Sequence, residues 1–423
     1  MDTFFKKLKI LVMDRSIRNR VLFVLAMLAI FRFLATIPVP GVNTAELAQA
    51  FSSNQFLSLF NVVSGGGLST FSIVMLGVSP YITASIIMQL IGMMVPSMKE
   101  LMQESGEAGR RTFNQYTRLL TLPISFLQGF AFIKYLQSQG AIGALSLPTL
   151  LFNIAIITAG SMLLLWIGEL INEFGVGNGT SMIILAGILA QIPPKISQFF
   201  FTFTIDQLPV VLLFLAVGLL VIAGTVYIYE AERPIKITYA RQVRGIRAFG
   251  GEDTYLPLRL TQAGVIPIIF ASSFLLFPQF FISLFQSSAH AWLQTVSAFF
   301  ATFLASTWWY SAVYFLLVVF FTYFYTAVTF DPQQIAENLQ KNGAFIPGTR
   351  PGDATNNFIG AVVTRITLVG SLFLGVIAVL PLIVKNTTGI TAFAVGGTSL
   401  LITVSVIIDL IRRIDAQVSM QEY

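Results

Sequence analysis

An all-α polytopic membrane protein of ten transmembrane helices is the fold class predicted for this chain, and three observations predict it. Hydrophobic residues fill 55% of the 423 positions and charged residues only 10%, with a mean hydropathy of +0.79, a balance typical of membrane bundles rather than soluble domains. Ten apolar stretches can be laid along the sequence, most of them near the roughly 20 residues that a helix needs to cross a bilayer. Lysine and arginine then partition: 21 of the 25 fall at the amino end, in alternate connections and in the tail. By the positive-inside rule that side is the cytoplasm, with both termini on it.

The stretches cover 21–39, 71–95, 119–136, 150–168, 180–192, 208–229, 263–285, 308–330, 359–382 and 391–411. The first follows a basic start (Lys6, Lys7, Lys9, Arg15, Arg18, Arg20) and runs on without a small-residue cleavage pattern, so it is read as a retained helix. The second is preceded by 56–63, too short to span, and by Ser64-Gly65-Gly66-Gly67. Irregular backbone at membrane depth is tolerated only inside protein or beside a water-filled cavity, so 56–95 reads as a plug followed by a pore-lining helix. Helix is expected to resume near Ser79-Pro80, an N-cap and first-turn pair or else a kink, and to carry Ile82 and Ile86 one turn apart. The same residues also suit an external loop with an amphipathic turn.

The fifth stretch is the shortest and opens on the glycine-rich turn 175–179. The connection 230–260 is long, basic and rich in β-branched and aromatic residues, which predicts a projecting hairpin turning near Gly245 or Gly250-Gly251. The connection 331–358 contains a turn-rich run from Gly343 to Gly352 that displays Arg350. Orientation alone needs only short basic loops, so these two are read as docking surfaces for a cytosolic machine. The connections on the other face are expected to be polar and almost uncharged, with His290 in one of them. Five spans followed by five would begin on opposite sides of the membrane and form two inverted halves, 1–200 and 201–423.

Several chemistries are excluded. There is no cysteine, one histidine and no phosphate-binding G-x-x-x-x-G-K-[ST] run, so a thiol nucleophile, a serine–histidine pair inside the membrane, a metal cluster and nucleotide hydrolysis all lack their residues. No cofactor is expected, and the chain is not an enzyme. An ion-coupled transporter keeps ionisable groups deep in the bilayer. Here Arg32, Lys134, Glu169, Glu230 and Asp409 all lie near predicted span ends. An uncharged centre suits a conduit for unlike substrates, because a ring of branched aliphatic side chains seals by excluding water and holds no cargo.

The chain resembles the SecY family, the main subunits of the bacterial Sec protein translocation channel. The resemblance is carried by Ile37-Pro38-Val39-Pro40-Gly41, by 80–90 (PYITASIIMQL), by Gly177-Asn178-Gly179-Thr180-Ser181, by Ala263-Gly264-Val265-Ile266-Pro267, by the 343–352 loop and by 396–402 (GGTSLLI), in family order along nearly the whole chain. It implies a clamshell of two pseudo-symmetric halves around an hourglass pore in the bacterial plasma membrane, passing unfolded secretory polypeptides across and releasing signal or membrane segments sideways into lipid. The implied plug is 56–70, including Phe56, Leu57, Phe60, Asn61, Val62, Val63, Ser64, Gly65, Gly66, Gly67 and Leu68. The implied pore ring takes Ile82, Ile86, Ile184, Ile269 and Ile402; a sixth position aligns near Thr180, where the family carries an apolar residue. A lateral gate between the second and third spans and the seventh and eighth would have Thr83, Gln128, Ser272 and Ser273 on its faces. Arg241, Arg244, Arg247 and Arg350 would meet the motor ATPase SecA or the ribosome, and the small subunits SecE and SecG are expected as partners.

Overall fold

The computed structural model describes residues 14–40, 61, 64, 66–68, 70–103, 106–138, 142–143, 145–202, 208–239, 242–244, 247–249, 253–262, 264, 266–285, 291–388 and 391–421. The predicted plug residues Phe56, Leu57, Phe60, Val62, Val63 and Gly65, together with Arg241, His290 and the candidate turn Gly250-Gly251, lie outside them. The helices before the first strand are α1 (Arg15–Leu34), α2 (Ser79–Met94), α3 (Pro96–Gln103), α4 (Gly106–Ser138), α5 (Leu147–Phe174), α6 (Gly179–Thr202) and α7 (Leu208–Glu230). Strands β1 (Glu232–Tyr239), β2 (Gln242–Arg244), β3 (Arg247–Phe249) and β4 (Asp253–Arg259) follow. Then come α8 (Ile266–Phe285), α9 (Ala291–Ala305), α10 (Thr307–Thr329), α11 (Pro332–Lys341), β5 (Ala344–Phe345), α12 (Asp353–Thr388) and α13 (Thr391–Gln421).

Each of the ten predicted stretches falls mainly on its own helix. Among the described residues, four helices are long and apolar enough by themselves to cross a membrane: Gly106–Gln137, Leu147–Phe174, Thr307–Lys341 and Asp353–Leu380. The helix of the second stretch resumes at Ser79, where it was expected, but Ser79 is not its cap. Its N-cap is Val78, so Ser79 and Pro80 lie in the first turn, where the missing proline N–H costs nothing.

Residues 71–78 are apolar but not helical. Phe71 (φ +46°) and Gly77 (φ +59°) are both left-handed, which interrupts any helix through them. Their backbone groups are satisfied inside the protein. Phe71 N–H donates to the Leu68 carbonyl and Ser72 N–H to that of Gly67, while Val39 N–H donates to Phe71 and Ile73 N–H to Ile37, all at 2.9–3.0 Å. Two glycines make room for this segment: a Cβ at Gly160 of α5 would stand 2.0 Å from the Ile73 carbonyl oxygen, and one at Gly77 would stand 2.4 Å from that of Ser64.

Three apolar clusters hold the molecule together. The largest joins α1, α2 and α5–α8 to α10, α12 and α13. A second packs Leu68, Phe71, Met75 and Leu76 against Phe132 and Leu136 of α4 and Ile154 and Ile157 of α5. The third joins a three-stranded antiparallel sheet, ordered β4-β1-β5, to α12 through Ile235, Ile237 and Leu258 against Ile359, Val362 and Ile366. The long hairpin is β1–β4, and a second pair, β2–β3, matches Arg244 with Arg247; the expected turn site Gly245 lies outside the described residues. The expected polar connection between the seventh and eighth spans needs correction. It contains α9, a chargeless helix whose Trp292, Val296, Phe299 and Phe300 are exposed.

Candidate functional site

The site begins with one residue type repeated on four helices. Ile82 and Ile86 of α2, Ile184 of α6, Ile269 of α8 and Ile402 of α13 are each at most 7% exposed and belong to a single apolar cluster. Apart from these five, Ile188 lies in the same cluster, one turn beyond Ile184 on α6. Thr180 does not share this setting. It occupies the first turn of α6, where its amide nitrogen would stand 3.7 Å from a Cβ on Gly168 of α5. That end of α6 is built for a tight corner. Asn172 Oδ1 accepts the Gly179 N–H (2.8 Å), Asn178 Oδ1 accepts the Ser181 N–H (3.3 Å), and Gly177 is left-handed at φ +99°.

The described part of the glycine-rich segment lies beside this cluster. Asn61, Ser64 and Leu68 are buried, Gly66 N–H donates to the Asn61 carbonyl (2.8 Å), and Gly66 comes up against Gly187 and Gln191 of α6. Ile184, Ile188 and Gln191 are spaced i, i+4, i+7, so one face of α6 runs from the isoleucines to this segment. Thr70 Oγ1 donates to the Ala35 carbonyl (2.7 Å) and ties the segment's far end to the end of α1.

Helix α8 packs against both α2 and α4 on one side and against α10 on the other. The two interfaces differ chemically. Toward α10 it is aromatic, with Phe270 5.9–6.0 Å from Tyr325 and Phe321 and Phe274 5.8 Å from Phe321, all edge-on. On the side of α2 and α4 polar residues are buried: Gln128 Nε2 donates to Thr83 Oγ1 (3.2 Å), whereas Gln128 Oε1, Ser125 Oγ and Ser273 Oγ have no hydrogen-bond partner among the described residues. Ser272 instead donates back to the Ile269 carbonyl of its own helix (2.9 Å). Near one end of these helices a cavity of about 400 Å³ is lined by Gln89, Arg110 and Asn114 on one side and by Tyr325, Thr329 and Gln334 on the other.

Arg350 is exposed on a loop held from beneath. Thr349 donates its N–H (3.1 Å) and its hydroxyl (3.0 Å) to the Ile346 carbonyl, Thr355 Oγ1 donates to the Arg350 carbonyl (2.9 Å), and Gly343, Gly348 and Gly352 are all left-handed. The loop joins the hairpin, because β5 pairs with β1 through Thr238↔Phe345 and Tyr239↔Ala344. The two connections that sequence separates by a long stretch therefore share one sheet. Nearby ends are tied by ions: Arg118 of α4 pairs with Glu169 of α5, and Arg412 of α13 reaches Glu230 (3.2 Å) and the Tyr229 carbonyl (2.6 Å) at the end of α7.

Comparison with known proteins places this arrangement. The SecY family model matches residues 72–411. The protein translocase subunit SecY of Thermus thermophilus is 42% identical over 420 residues, covering 96% of this chain and 94% of that one; that of Staphylococcus aureus is 41% identical over 421 residues, covering 97% and 96%. Among solved structures, a SecY protein whose plug domain stabilises the closed state of the translocation channel superposes with a TM-score of 0.66 at 20% identity, covering 96% of this chain and 93% of that one. Sec61 in the canine ribosome–channel complex gives 0.59 at 17%, with the same coverage. At these identities the two structures speak for a shared fold. With a family model across most of its length and curated relatives above 40% identity end to end, the chain belongs to the SecY family and is a protein-conducting channel subunit of the Sec translocase, not an enzyme.

Proposed function

We propose that this chain forms a gated pore in the bacterial plasma membrane, closed by the isoleucines and the glycine-rich segment and opened sideways between α2 and α4 on one side and α8 and α10 on the other. The observation that carries the reading is the convergence of Ile82, Ile86, Ile184, Ile269 and Ile402 from four helices into one uncharged, buried cluster, with Gly66 seated beside it. Branched aliphatic side chains meeting in a narrow pore expel water and block ions, yet offer no groups that would retain a passing polypeptide. Ile188 takes the sixth ring position in place of Thr180. Thr83, Gln128, Ser272 and Ser273 face the gate, and the plug comprises 56–70.

On this reading 1–200 and 201–423 are the two halves of the clamshell, and both termini are cytoplasmic because the basic connections are. The sheet β4-β1-β5 then projects into the cytoplasm with Arg350 near its edge, and the β2–β3 pair that carries Arg244 and Arg247 lies between β1 and β4 in the chain, as does Arg241. These arginines dock SecA or the ribosome, the latter through ribosomal RNA phosphates; the ribosome-bound Sec61 relative supports this. SecE and SecG complete the channel, signal peptides part the gate into lipid, and unfolded chain displaces the plug.

The test pairs a deletion of 61–68 with Ile86→Asp in reconstituted channels. The deletion is expected to raise ion conductance at rest, and the aspartate to wet the ring and admit polypeptides with defective signal sequences. Two channels as tight and as selective as the parent refute the plug and the ring respectively.

A further inference from the structure

Helix α9 carries no charged residue and is 15 residues long, which makes it about 22 Å, too short to cross the roughly 30 Å of a hydrocarbon core. It links α8 to α10 and packs on both. Around its axis the side chains fall into three strips at the helical period. Trp292, Val296, Phe299, Phe300 and Phe303 recur at i, i+4, i+7, i+8 and i+11 on one face, the first four of them exposed. Leu293, Ser297 and Ala301 form the strip turned toward the rest of the protein, with Ser297 buried. The third strip, away from both, is Thr295, Ala298 and Thr302, small and exposed.

The continuation of the aromatic strip shows what covers it. Phe299 stacks on Phe303 (6.3 Å), and Phe303 stacks on Trp309 in the first turn of α10 (5.3 Å). Trp309, Leu316 and Phe320 are exposed and spaced i, i+7, i+11, so they share one face of α10. Helix α10 is long and apolar enough to cross a membrane, and in a subunit of a membrane channel acyl chains lie against such a face. Tryptophan collects where acyl chains give way to headgroups, and three of the chain's four tryptophans, Trp292, Trp308 and Trp309, stand at this end of α10. This end is remote from the sheet, since β4 precedes the start of α8 while α11 and β5 follow the end of α10.

We propose that α9 lies flat in the boundary between headgroups and acyl chains of the leaflet away from the sheet, with its aromatic strip in lipid and Thr295, Ala298 and Thr302 toward water. Its partner is thus a phospholipid surface. Having no basic side chain, the helix gains nothing from anionic headgroups and is held by apolar area alone. Because it links α8 to α10, it fixes the depth at which that end of the pair sits in the bilayer.

The chain has no cysteine, so a single nitroxide label reports one position in the complete translocon, reconstituted in phosphatidylcholine vesicles. Labels on Val296→Cys and Phe299→Cys are expected about 5–10 Å below the phosphates, relaxed by oxygen and shielded from a water-soluble nickel chelate. Labels on Ala298→Cys and Thr302→Cys are expected up to about 10 Å nearer water, the width of a helix, with the opposite preference. Two positions on each strip keep the reading should one variant fail to assemble. Adding phosphatidylglycerol is expected to move none of the labels, and Phe299→Ser together with Phe300→Ser to lift the Val296→Cys label toward water. Four labels equally open to the chelate overturn the proposal, because the helix then stands off the membrane. Four labels in lipid overturn the flat pose. An aromatic strip hidden from both reagents is covered by protein, a second copy or another subunit, and overturns the lipid partner. Depths that follow phosphatidylglycerol content overturn anchoring by apolar area, and a Val296→Cys label unmoved by the two serines overturns the strip as the anchor.

Discussion

Replacing Ile188 by asparagine tests the register of the proposed ring. Ile188 is 5% exposed and packs in the cluster that contains Ile82 and Ile86, which the proposal takes as the closed ring. The substitution removes burial of an apolar side chain, about 2–3 kcal/mol. It also leaves a buried amide short of partners, at about 1–3 kcal/mol. An open pore, with the ring apart and wet, feels neither loss. If only about 3 kcal/mol of this falls on the closed state, the closed-to-open ratio drops by about two decades. The assays are resting conductance in planar bilayers and export of a reporter carrying a defective signal sequence. Thr180→Asn is the comparison, because Thr180 sits in the first turn of α6. A sealed, stringent Ile188→Asn channel beside a leaky Thr180→Asn channel would refute the register drawn from the structure.

Other outcomes follow from packing and charge. Gly160→Ala forces a Cβ to 2.0 Å from the Ile73 carbonyl oxygen, so it is expected to lower the melting temperature in detergent by the equivalent of about 1–3 kcal/mol; Gly218→Ala, with nothing within 4 Å of the new Cβ, should leave it unchanged or raise it, and equal behaviour of the two would refute the close approach of α5. Arg350→Glu reverses an exposed charge on a loop held by its neighbours, and is expected to impair SecA-stimulated export at an unchanged melting temperature. Normal stimulated export would remove Arg350 from the docking surface. Gln128→Leu replaces a buried, half-satisfied amide by an apolar side chain, which stabilises the contact between α4 and its neighbours. Export of weak signal sequences should then fall, and an unchanged dependence on signal strength counts against a gate at this seam.

The spans were legible in the sequence because a bilayer imposes a long apolar run; each of the ten stretches falls mainly on its own helix among the thirteen described. Residues 71–78 were legible only in part: helix was expected to resume near Ser79-Pro80, yet their own composition suits a span. What removes them from the helix is tertiary: left-handed Phe71 and Gly77, and hydrogen bonds to Ile37 and Val39 far back in the chain. The pairing of β5 with β1 is two residues long and remote in sequence, too little for a local pattern to reveal. Helix α9 was overlooked because chargelessness was taken for polarity, although Trp292, Phe299 and Phe300 are plain in its sequence. Within the candidate site, spacing puts Ile82 and Ile86 on one helix face, but isoleucines on different apolar helices look alike until the helices are set side by side. The contact of Gln191 with Gly66 leaves no mark in the sequence at all.

The two interfaces of α8 also bear on how pore and gate would open together. Edge-on aromatic pairs bind α8 to α10, each worth about 0.5–1.5 kcal/mol beyond the area it buries. On the side of α2 and α4, Gln128 Oε1, Ser125 Oγ and Ser273 Oγ gain nothing from closure, and water reaching them on separation would supply the partners they lack. The weaker seam is therefore the one between α8 and the α2–α4 pair, and α8 should leave with α10 rather than from it. The proposed ring would lie across that same seam. Ile82 adjoins Thr83 on α2, while Ile269 lies one turn before Ser272 and Ser273 on α8. Any movement that lets lipid between Thr83 and Ser273 also parts Ile82 from Ile269, so sideways release and passage through the pore draw on one displacement, and a signal segment that stabilises the opened seam unlocks both.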